Sequence, residues 1–468
     1  MSIFEAALRQ ILDPAGLITD PVLLAAHNRD WRGRYQGGAQ LLAMPQNTAQ
    51  TAAVLRCCHA HRVPVVPQAG NTSLCGGSVP RAQGQELILS VARMQRCRAL
   101  DTANGTLTCE AGMLLATLQQ QATQAGLLFP LSIASEGSAQ VGGIISTNAG
   151  GTAVLRYGNM RSLVLGLEVV LPDGQIWCGL RGLRKDNTGY DLKQWFIGAE
   201  GTLGVITAAT VRLFPQPRSH ATAWVALPAP AQALELLRLL QDTCGERLSS
   251  FELISQNALD LVLRHLPQTR SPLSAPTPWA ALIQLDDVDP QPLEERLVQI
   301  LEQALEHHWI SDASVAQSLA QAQTLWFLRE QISEAQRLEG VSIKHDISVP
   351  VSQIPTFIQA TSAILEQHFP GIRLVCFGHV GDGNLHFNLS KPDRQENSAF
   401  IHQTAAVNRI VHDQVMALHG SISAEHGIGQ LKTGELQRYK DPVELALMRQ
   451  MKQMLDPLGL MNPGKIFA

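Results

Sequence analysis

The stretch "PQAGNTSLCGGSVP", Pro67–Pro80, follows a short β-branched run and contains a glycine-rich turn. Glycine has no Cβ, so the backbone N–H groups of such a turn can approach an anion closely, as the pyrophosphate of a dinucleotide requires. The stretch has neither the Walker pattern nor G-x-G-x-x-G, and a glycine-rich loop can also be simply a tight turn. By itself, Pro67–Pro80 leaves phosphate binding and a structural turn both open.

Two later segments have the same character. In Pro130–Met160, the pairs Gly142-Gly143 and Gly150-Gly151 bracket a run that we predict to be a short strand. In Gly198–Thr207, a turn leads into an edge-like strand whose free backbone groups could hydrogen-bond a flat heterocycle. Three such segments in this order are difficult to explain as independent turns, so together they favour a bound cofactor.

The rest of the chain has the composition of a multidomain globular protein. Its 468 residues, 45% of them hydrophobic and 16% charged, exceed what one core usually serves and predict two or three domains. Short β-branched runs alternate with helical patterns, which indicates α+β domains over residues 1–217 and 218–396. Residues 397–468 are mostly helical in pattern and form a third segment.

The charge and cysteine content exclude several classes of partner. A formal net charge of −4 gives no reason to expect nucleic acid or an anionic membrane, because both normally require a basic surface. The sequence contains no run of about 18 apolar residues, so no transmembrane segment is predicted. The eight cysteines show no C-x-x-C spacing and the N-terminus lacks a signal-peptide pattern, which favours the reducing cytoplasm.

The stretch "CFGHVGDGNLHFN", Cys376–Asn388, suggests a metal site. Alternate residues of a strand share a face, so His386 and Asn388 should point together, and the Gly-Asp-Gly turn can fold His379 back toward them. Two imidazoles form a partial shell for a divalent transition metal, and Glu425 of "SAEHGIG" could add a carboxylate. Judged by pattern alone, two histidines seven apart are more often surface or core residues, so both interpretations remain open.

A third stretch offers partners for a substrate carboxylate. "WFLREQISEAQRLEGVSIKHD" places Arg329 and Ser333 four apart, which predicts one helical face, with Lys344 on the following strand. Arginine can bind a carboxylate through two parallel hydrogen bonds, and serine and lysine can add to it. By pattern alone, an arginine on an amphipathic helix is usually solvated.

Taken together, these motifs resemble a known family. "PQAGNTSLCGGSVP", "GGIISTNAGG", "RKDNTGYDLKQWFIGAEGTLGVIT", "GHVGDGNLHFN", "SAEHGIGQLK" and "NPGKIF" are similar to the FAD-dependent D-2-hydroxyacid dehydrogenases of the vanillyl-alcohol-oxidase flavoprotein superfamily. The resemblance runs from about Gln46 to Phe467. It implies an α+β fold: a two-subdomain FAD-binding domain of the vanillyl-alcohol-oxidase (PCMH) type, an α+β cap domain for the substrate, and a C-terminal helical segment that packs back on the FAD domain.

The resemblance also implies how FAD is bound. The family usually has glycine where this chain has Ala69, which must then avoid positive φ, and no histidine lies in this loop, so we expect FAD to be bound non-covalently. The residues implied at the cofactor are Gln68, Gly70, Asn71, Thr72, Ser73, Gly76, Gly77, Ser78, Pro130, Gly137, Ser138, Gly143, Thr147, Asn148, Gly151, Glu200, Gly201, Gly204, Ile206 and Asn462.

The remaining site residues are implied in the same way. His379, His386 and Glu425 become ligands of a divalent metal, with Zn²⁺ favoured, and His426 becomes the catalytic base, with support of a neighbouring ligand as its alternative role. The substrate-binding residues implied are Arg329, Ser333, Lys344 and Asn388. Relatives usually carry threonine in place of Ser333, a change that keeps the hydroxyl.

The expected reaction is oxidation of a D-2-hydroxyacid by hydride transfer to flavin N5. Lys344 and "RKDNTGYDLKQ" favour the D-2-hydroxyglutarate branch, with 2-oxoglutarate as product and D-malate as a second substrate. Within the family the alternative is a D-lactate dehydrogenase; outside it, a flavin-free zinc hydrolase or a non-catalytic nucleotide-binding protein. The family further implies an electron-transfer flavoprotein or a quinone as electron acceptor and a possible homodimer.

Overall fold

The computed structural model describes residues 2–392 and 396–467. The strands are β1 Leu17–Ile18, β2 Leu41–Ala43, β3 Val65–Gln68, β4 Leu87–Ser90, β5 Cys97–Asp101, β6 Thr106–Glu110, β7 Leu127–Leu128, β8 Val164–Val170, β9 Ile176–Gly179, β10 Val205–Arg212, β11 Phe214–Pro215, β12 Ser219–Leu227, β13 Leu248–Ser255, β14 Trp279–Asp287, β15 Asp312–Val315, β16 Ser342–Ile343, β17 Asp346–Ser348, β18 Arg373–His379 and β19 Asn384–Ser390.

The helices are α1 Ile3–Ile11, α2 Pro21–His27, α3 Thr48–His61, α4 Leu115–Gln124, α5 Val141–Ser146, α6 Val154–Tyr157, α7 Met160–Leu163, α8 Lys193–Phe196, α9 Pro230–Cys244, α10 Gln256–His265, α11 Leu293–Glu306, α12 Leu319–Glu330, α13 Ile332–Glu339, α14 Ile354–His368, α15 Asn397–His402, α16 Thr404–Ala417, α17 Thr433–Tyr439 and α18 Pro442–Leu455. Short 3₁₀ turns lie at Pro14–Gly16, Gly245–Arg247, Val351–Gln353 and Val380–Asp382.

The chain folds into two compact units. The first unit runs up to Gly151, continues over Gly158–Gln216 and resumes from Glu425. The second unit contains Thr152–Tyr157 and Pro217–Ala424. The segment predicted at 397–468 is thus divided between the units, because α16 packs on α14 and Ser421 forms a β-bridge with Ser348 inside the second unit.

The first unit contains the two-stranded antiparallel sheet β7-β11 and two larger sheets. One has the order β1-β2-β4-β3, with β4 parallel to both β2 and β3, and the other is the antiparallel sheet β5-β6-β10-β8-β9. Helix α3 connects β2 to β3; it begins after Asn47, whose side chain accepts the Gln50 N–H, and ends at Arg62 in the left-handed region. The glycine-rich loop therefore begins at Gln68, at the carboxyl end of β3, where open parallel sheets bind ligands.

One predicted strand is wrong. Helix α5, Val141–Ser146, contains the first glycine pair and the start of the run that follows it, where a strand was predicted. A Cβ on Gly142 would lie 2.8 Å from the Ala111 Cβ, so the helix packs tightly against the end of the β6 region. Periodicity cannot separate a short buried helix from a strand in an apolar run of this length, and the tertiary packing decides.

The second unit is built on one large sheet. Its order is β15-β12-β14-β13-β18-β19-β16, and β17 also pairs with β19, all antiparallel. A buried cluster that includes Trp224, Leu328 and Phe377 joins α12 to the sheet. This packing places the end of α12 beside β13 and β18.

No helix within the described residues is long and apolar enough to span a membrane.

Candidate active site

The loop after β3 is braced by its own side chains. The Gln68 Nε2 donates to the carbonyl oxygens of His27 and Ser78, each at 2.9 Å. The Asn71 Nδ2 donates to the Arg29 carbonyl at 2.9 Å, and the Ser78 hydroxyl donates to the Asn71 Oδ1 at 2.7 Å. These predicted cofactor-binding side chains therefore hold the loop in shape, and its backbone is the part suited to an anion.

The backbone of this loop forms a close turn. The N–H groups of Cys75 and Gly77 both point at the Ser73 Oγ, at 3.3 Å, and Gly76 has φ +69°. A Cβ on Gly70 would lie 2.1 Å from the Ser138 carbonyl oxygen, so only glycine allows this loop to reach the second predicted segment. Ala69 is outside the positive-φ region, as its side chain requires. Thr72 lies half-buried in the same loop.

The second segment shows the same close approach of backbones. Gly143 lies in α5, where the Thr147 hydroxyl donates to its carbonyl at 3.2 Å. Asn148 has φ +51°, and its Oδ1 accepts the Arg161 N–H at 2.8 Å. Gly151 has φ +118°, and a Cβ there would lie 2.2 Å from the Ser132 carbonyl oxygen.

The other predicted residues of this segment lie nearby in the chain. Pro130 is buried, and the Ser138 hydroxyl donates to the Ser135 carbonyl at 3.3 Å. A Cβ on Gly137 would meet nothing within 4 Å, so this turn borders open space. Loops without side chains at their closest points fit a long, flat dinucleotide such as FAD.

Glu200 connects the third glycine segment to the "SAEHGIG" stretch. Its buried carboxylate accepts the backbone N–H groups of Ile428 and Gly429, each at 2.7 Å. Burial raises the pKa of Glu200, and these two N–H groups partly oppose the shift. The Asn462 Nδ2 donates to the carbonyl oxygens of Glu200 and Gly77, at 2.7 and 3.0 Å.

Of the remaining residues of the third segment, Gly204 packs against β8 and Ile206 belongs to β10 of the antiparallel sheet. Gly201 has φ +70°, and a Cβ on Gly204 would lie 2.9 Å from the Val170 carbonyl oxygen. Ile206 is buried in β10, opposite Val169 of β8. This segment thus reaches the antiparallel sheet through backbone contacts. In the same unit, the Glu425 Oε1 accepts the Gly151 N–H at 3.0 Å.

The β18–β19 hairpin of the second unit brings two predicted metal ligands together. The ring centroids of His379 and His386 lie 6.1 Å apart, with the ring planes at 74°. The His386 Nδ1 is 4.0 Å from the Asp346 Oδ1, which also accepts the Asn384 side chain at 3.0 Å. Two imidazoles with a carboxylate within reach are a donor set suited to Zn²⁺.

Glu252 is a site residue that our sequence reasoning missed. It is fully buried at the middle of β13, directly opposite His379 of β18. Its Oε1 forms a short hydrogen bond with the His379 Nδ1, and its Oε2 accepts the Arg329 Nε at 2.6 Å. Burial raises the pKa of Glu252, but its pairing with Arg329 and His379 outweighs burial and lowers the pKa to about 2. The signal in the sequence was one glutamate inside the apolar run "FELI".

Arg329 and Ser333 have different environments. Arg329 is buried at the end of α12, and its guanidinium carbon lies 4.8 Å from the centroid of the Phe377 ring. The helix is interrupted at Gln331, and Ser333, on α13, is exposed. The prediction of one shared helical face is wrong, because the break at Gln331 separates the two helices and leaves Arg329 buried and Ser333 exposed. Lys344 is half-buried between β16 and β17.

Asn388 belongs to a buried polar network. Its Oδ1 accepts the His345 backbone N–H at 3.1 Å, and its Nδ2 donates to the Gln336 Oε1 at 3.0 Å. The His345 ring in turn contacts the Phe387 carbonyl and the Asn408 side chain, at 2.8 and 2.9 Å. Among the described residues, the buried Gln336 Nε2 has no partner. The network fixes the orientation of Asn388 two residues from His386.

Comparison with protein-family models decides the family. Residues 216–466 match the model described as FAD linked oxidases, C-terminal domain, and residues 39–179 match the FAD binding domain. The chain belongs to the FAD-linked oxidases. This FAD-linked oxidase therefore uses FAD as a cofactor and is an enzyme, as the resemblance of its motifs predicted.

Its curated relatives cover almost the whole chain. D-2-hydroxyglutarate dehydrogenase, mitochondrial, of Danio rerio is 40% identical over 467 residues, which span 99% of this chain and 84% of the relative. D-2-hydroxyglutarate dehydrogenase of Stutzerimonas stutzeri (strain A1501) is 38% identical over 461 residues, 98% of each chain. The predicted family is thereby confirmed.

Solved structures confirm the fold class of the FAD-linked oxidase. p-Cresol methylhydroxylase with substrate bound matches with a TM-score of 0.79 at 16% identity, over 99% of this chain and 96% of that one. Alkyldihydroxyacetonephosphate synthase matches with a TM-score of 0.76, also at 16% identity, over 99% and 86%. At this identity the likeness concerns the fold alone, which is the predicted two-domain flavoprotein fold.

Proposed function

We propose that this FAD-linked oxidase converts D-2-hydroxyglutarate to 2-oxoglutarate, with D-malate as a second substrate. The proposal is supported above all by the relative from Stutzerimonas stutzeri, whose name states this activity and which is 38% identical over 98% of both chains. Family membership argues against the flavin-free hydrolase and the non-catalytic nucleotide-binding protein. A D-lactate dehydrogenase remains the alternative, since the substrates share their 2-hydroxycarboxylate end.

We assign the divalent metal, with Zn²⁺ favoured, to His379, His386 and Glu425. The geometry that supports this is the approach of the two imidazole rings in the hairpin and the contact of His379 with Glu252. When bound, a divalent metal lowers the pKa of a coordinated hydroxyl group and stabilises the alkoxide that forms.

The other residues bind the substrate and move its proton. His426, next to Glu425 in the chain, accepts the proton of the 2-hydroxyl group, because an imidazole titrates near neutral pH. The guanidinium of Arg329 binds a substrate carboxylate through its terminal nitrogens, since its Nε is held by Glu252. Ser333, Lys344 and Asn388 add polar contacts. FAD, bound non-covalently, supplies flavin N5 as the hydride acceptor.

The wider setting belongs to the same proposal. The electrons pass from the reduced flavin to an electron-transfer flavoprotein or a quinone, and the enzyme works as a homodimer in the cytoplasm. Each part has its own measurement: reduction of candidate acceptors by the reduced enzyme, light scattering for the dimer, and fractionation of the source cells.

One anaerobic experiment tests the substrate. The purified protein should show a flavin spectrum, and D-2-hydroxyglutarate and D-malate should each bleach it, more slowly after treatment with EDTA. Bleaching by D-lactate alone would assign the protein to the D-lactate dehydrogenases. Bleaching by the dicarboxylates that EDTA leaves unchanged would retain the substrate and remove the metal from the proposal.

A further inference from the structure

Glu252 hydrogen-bonds both a proposed metal ligand and a proposed substrate-binding residue of the second unit. It is 0% exposed, and each of its carboxylate oxygens is taken: Oε1 by the His379 Nδ1 and Oε2 by the Arg329 Nε. A buried carboxylate requires such partners, because it has lost its water. The two contacts therefore explain how a charge can occupy the middle of β13.

The contact with His379 decides which ring nitrogen can bind a metal. An ionised carboxylate only accepts hydrogen bonds, and Arg329 beside it is always charged, so the proton lies on the His379 Nδ1. The His379 Nε2 then keeps its lone pair for a metal ion. Carboxylates that hold metal-binding histidines in this way fix the ring orientation and make the ligand more basic.

The contact with Arg329 decides which edge of the guanidinium can bind a substrate. Glu252 takes the Nε, so the two terminal nitrogens remain for a planar carboxylate. Below the guanidinium lies the Phe377 ring, whose centroid is 4.8 Å from the arginine Cζ and 4.8 Å from the His386 ring. Arg329, Phe377 and His386 thus contact one another in series, which limits how far Arg329 can move without moving a proposed ligand.

We propose that Glu252 is a positioning residue that couples the metal ligand His379 to the carboxylate-binding Arg329, so that metal and hydroxy acid bind cooperatively. The proposal rests on the metal and substrate sites of the proposed function. Coupling of this kind is reciprocal: whatever the metal adds to hydroxy-acid affinity, the hydroxy acid adds to metal affinity.

The test is Glu252→Gln, read out by metal binding. Glutamine can still accept a hydrogen bond from the His379 Nδ1–H. Its amide NH₂ would face the Arg329 Nε–H, however, and glutamine lacks the negative charge of glutamate. We expect Zn²⁺ affinity, measured by competition with a chromophoric chelator, to fall about 10- to 100-fold. D-2-Hydroxyglutarate should strengthen Zn²⁺ binding to wild type and have little effect on the variant, while the FAD content stays at one per chain.

The matched control is Glu110→Gln. Glu110 is also fully buried and also pairs with arginines, Arg96 and Arg98, but it lies in β6, in the five-stranded sheet of the first unit. The Glu110→Gln variant should keep wild-type Zn²⁺ affinity. This result would distinguish the positioning role of Glu252 from the general effect of losing a buried ion pair. Should Glu252→Gln fail to fold, Glu252→Asp replaces it, since it keeps the charge but withdraws the carboxylate by one methylene and should weaken Zn²⁺ binding in the same direction.

The outcomes separate the two proposals. Wild-type Zn²⁺ affinity in a folded Glu252 variant would overturn the positioning role and leave the proposed function intact. Weakened Zn²⁺ binding that the hydroxy acid still strengthens to the wild-type extent would overturn the coupling. If wild type itself binds no Zn²⁺ yet its flavin is reduced by D-2-hydroxyglutarate, the metal site and this inference both fail while the proposed reaction stands.

Discussion

The Oε2 of Glu200 accepts the backbone N–H of Gly429 at 2.7 Å, a contact between residues 229 positions apart in the chain. The Oε1 of Glu200 accepts the Ile428 N–H, and the two hydrogen bonds together fix the segment that immediately follows Glu425 and His426. A buried carboxylate with two backbone donors is a strong local constraint, because the peptide groups cannot move without losing a charged partner. The position of the proposed base therefore depends on a residue of the third glycine segment.

This contact predicts the effect of Glu200→Gln. An amide can accept only one of the two N–H groups well, so we expect a loss of about 1–3 kcal/mol in the free energy of unfolding. Flavin reduction by D-2-hydroxyglutarate should slow as His426 loses its position. Urea unfolding and stopped-flow absorbance measure the two effects. The control is Glu444→Gln, at an exposed i,i+4 pair with Lys440, which should change neither.

His426→Ala tests the proposed base directly. The variant should keep FAD and metal, while the rate of flavin reduction falls by about 10²- to 10⁴-fold, the usual contribution of a positioned base. Rapid anaerobic mixing with D-2-hydroxyglutarate gives this rate. His368→Ala, at an exposed histidine of α14, should behave as wild type. Near wild-type reduction in His426→Ala would assign His426 to support of a neighbouring ligand.

Arg329→Lys tests the proposed carboxylate contact. Lysine offers a point charge in place of a planar fork and cannot reproduce the pairing with Glu252, so KM for D-2-hydroxyglutarate should rise about 10-fold or more. Steady-state kinetics with an artificial electron acceptor measure it. Arg264→Lys, at an exposed arginine paired with Glu339, is the matched control. Equal KM values in the two variants would contradict the assignment.

Gly70→Ala tests the flavin cradle. The new Cβ would lie 2.1 Å from the Ser138 carbonyl oxygen, so the first two glycine segments must separate, and FAD content should fall severalfold. The flavin absorbance of the purified protein per chain measures it. In Gly434→Ala, a Cβ would meet nothing within 4 Å, so this helical glycine should accept alanine with full FAD content.

Lys465 predicts a pH dependence of stability. It is 2% exposed, and burial lowers its pKa to about 8 in spite of the opposing charge of Glu86. Between about pH 8 and the ordinary lysine value of 10.5, the unfolded chain binds the extra proton, so the contribution of Lys465 to stability rises with pH. The rise is on the order of 3 kcal/mol. In Lys465→Met this contribution should be absent. Unfolding curves at pH 7.5 to 10 measure it, and parallel curves for both proteins would contradict it.

Much of the molecule follows from local sequence. The glycine turns at Pro67–Pro80 and Gly198–Thr207 and the β18–β19 hairpin could be predicted, because each depends on backbone sterics or short-range periodicity. The alternation of residues in a strand likewise places His386 and Asn388 on one face of β19.

Other features were decided only by the tertiary structure. The run Val141–Ser146 became a helix through its packing, and α12 ended before Ser333, which is exposed while Arg329 is buried. The contacts of Glu252 could not be read from the sequence, since its partners come from β18 and from α12. Sequence by itself determined the local turns, the β18–β19 hairpin and the family motifs. The pairing of buried charges required the folded sheet, because a carboxylate is stable in an apolar interior only where distant parts of the chain bring it partners.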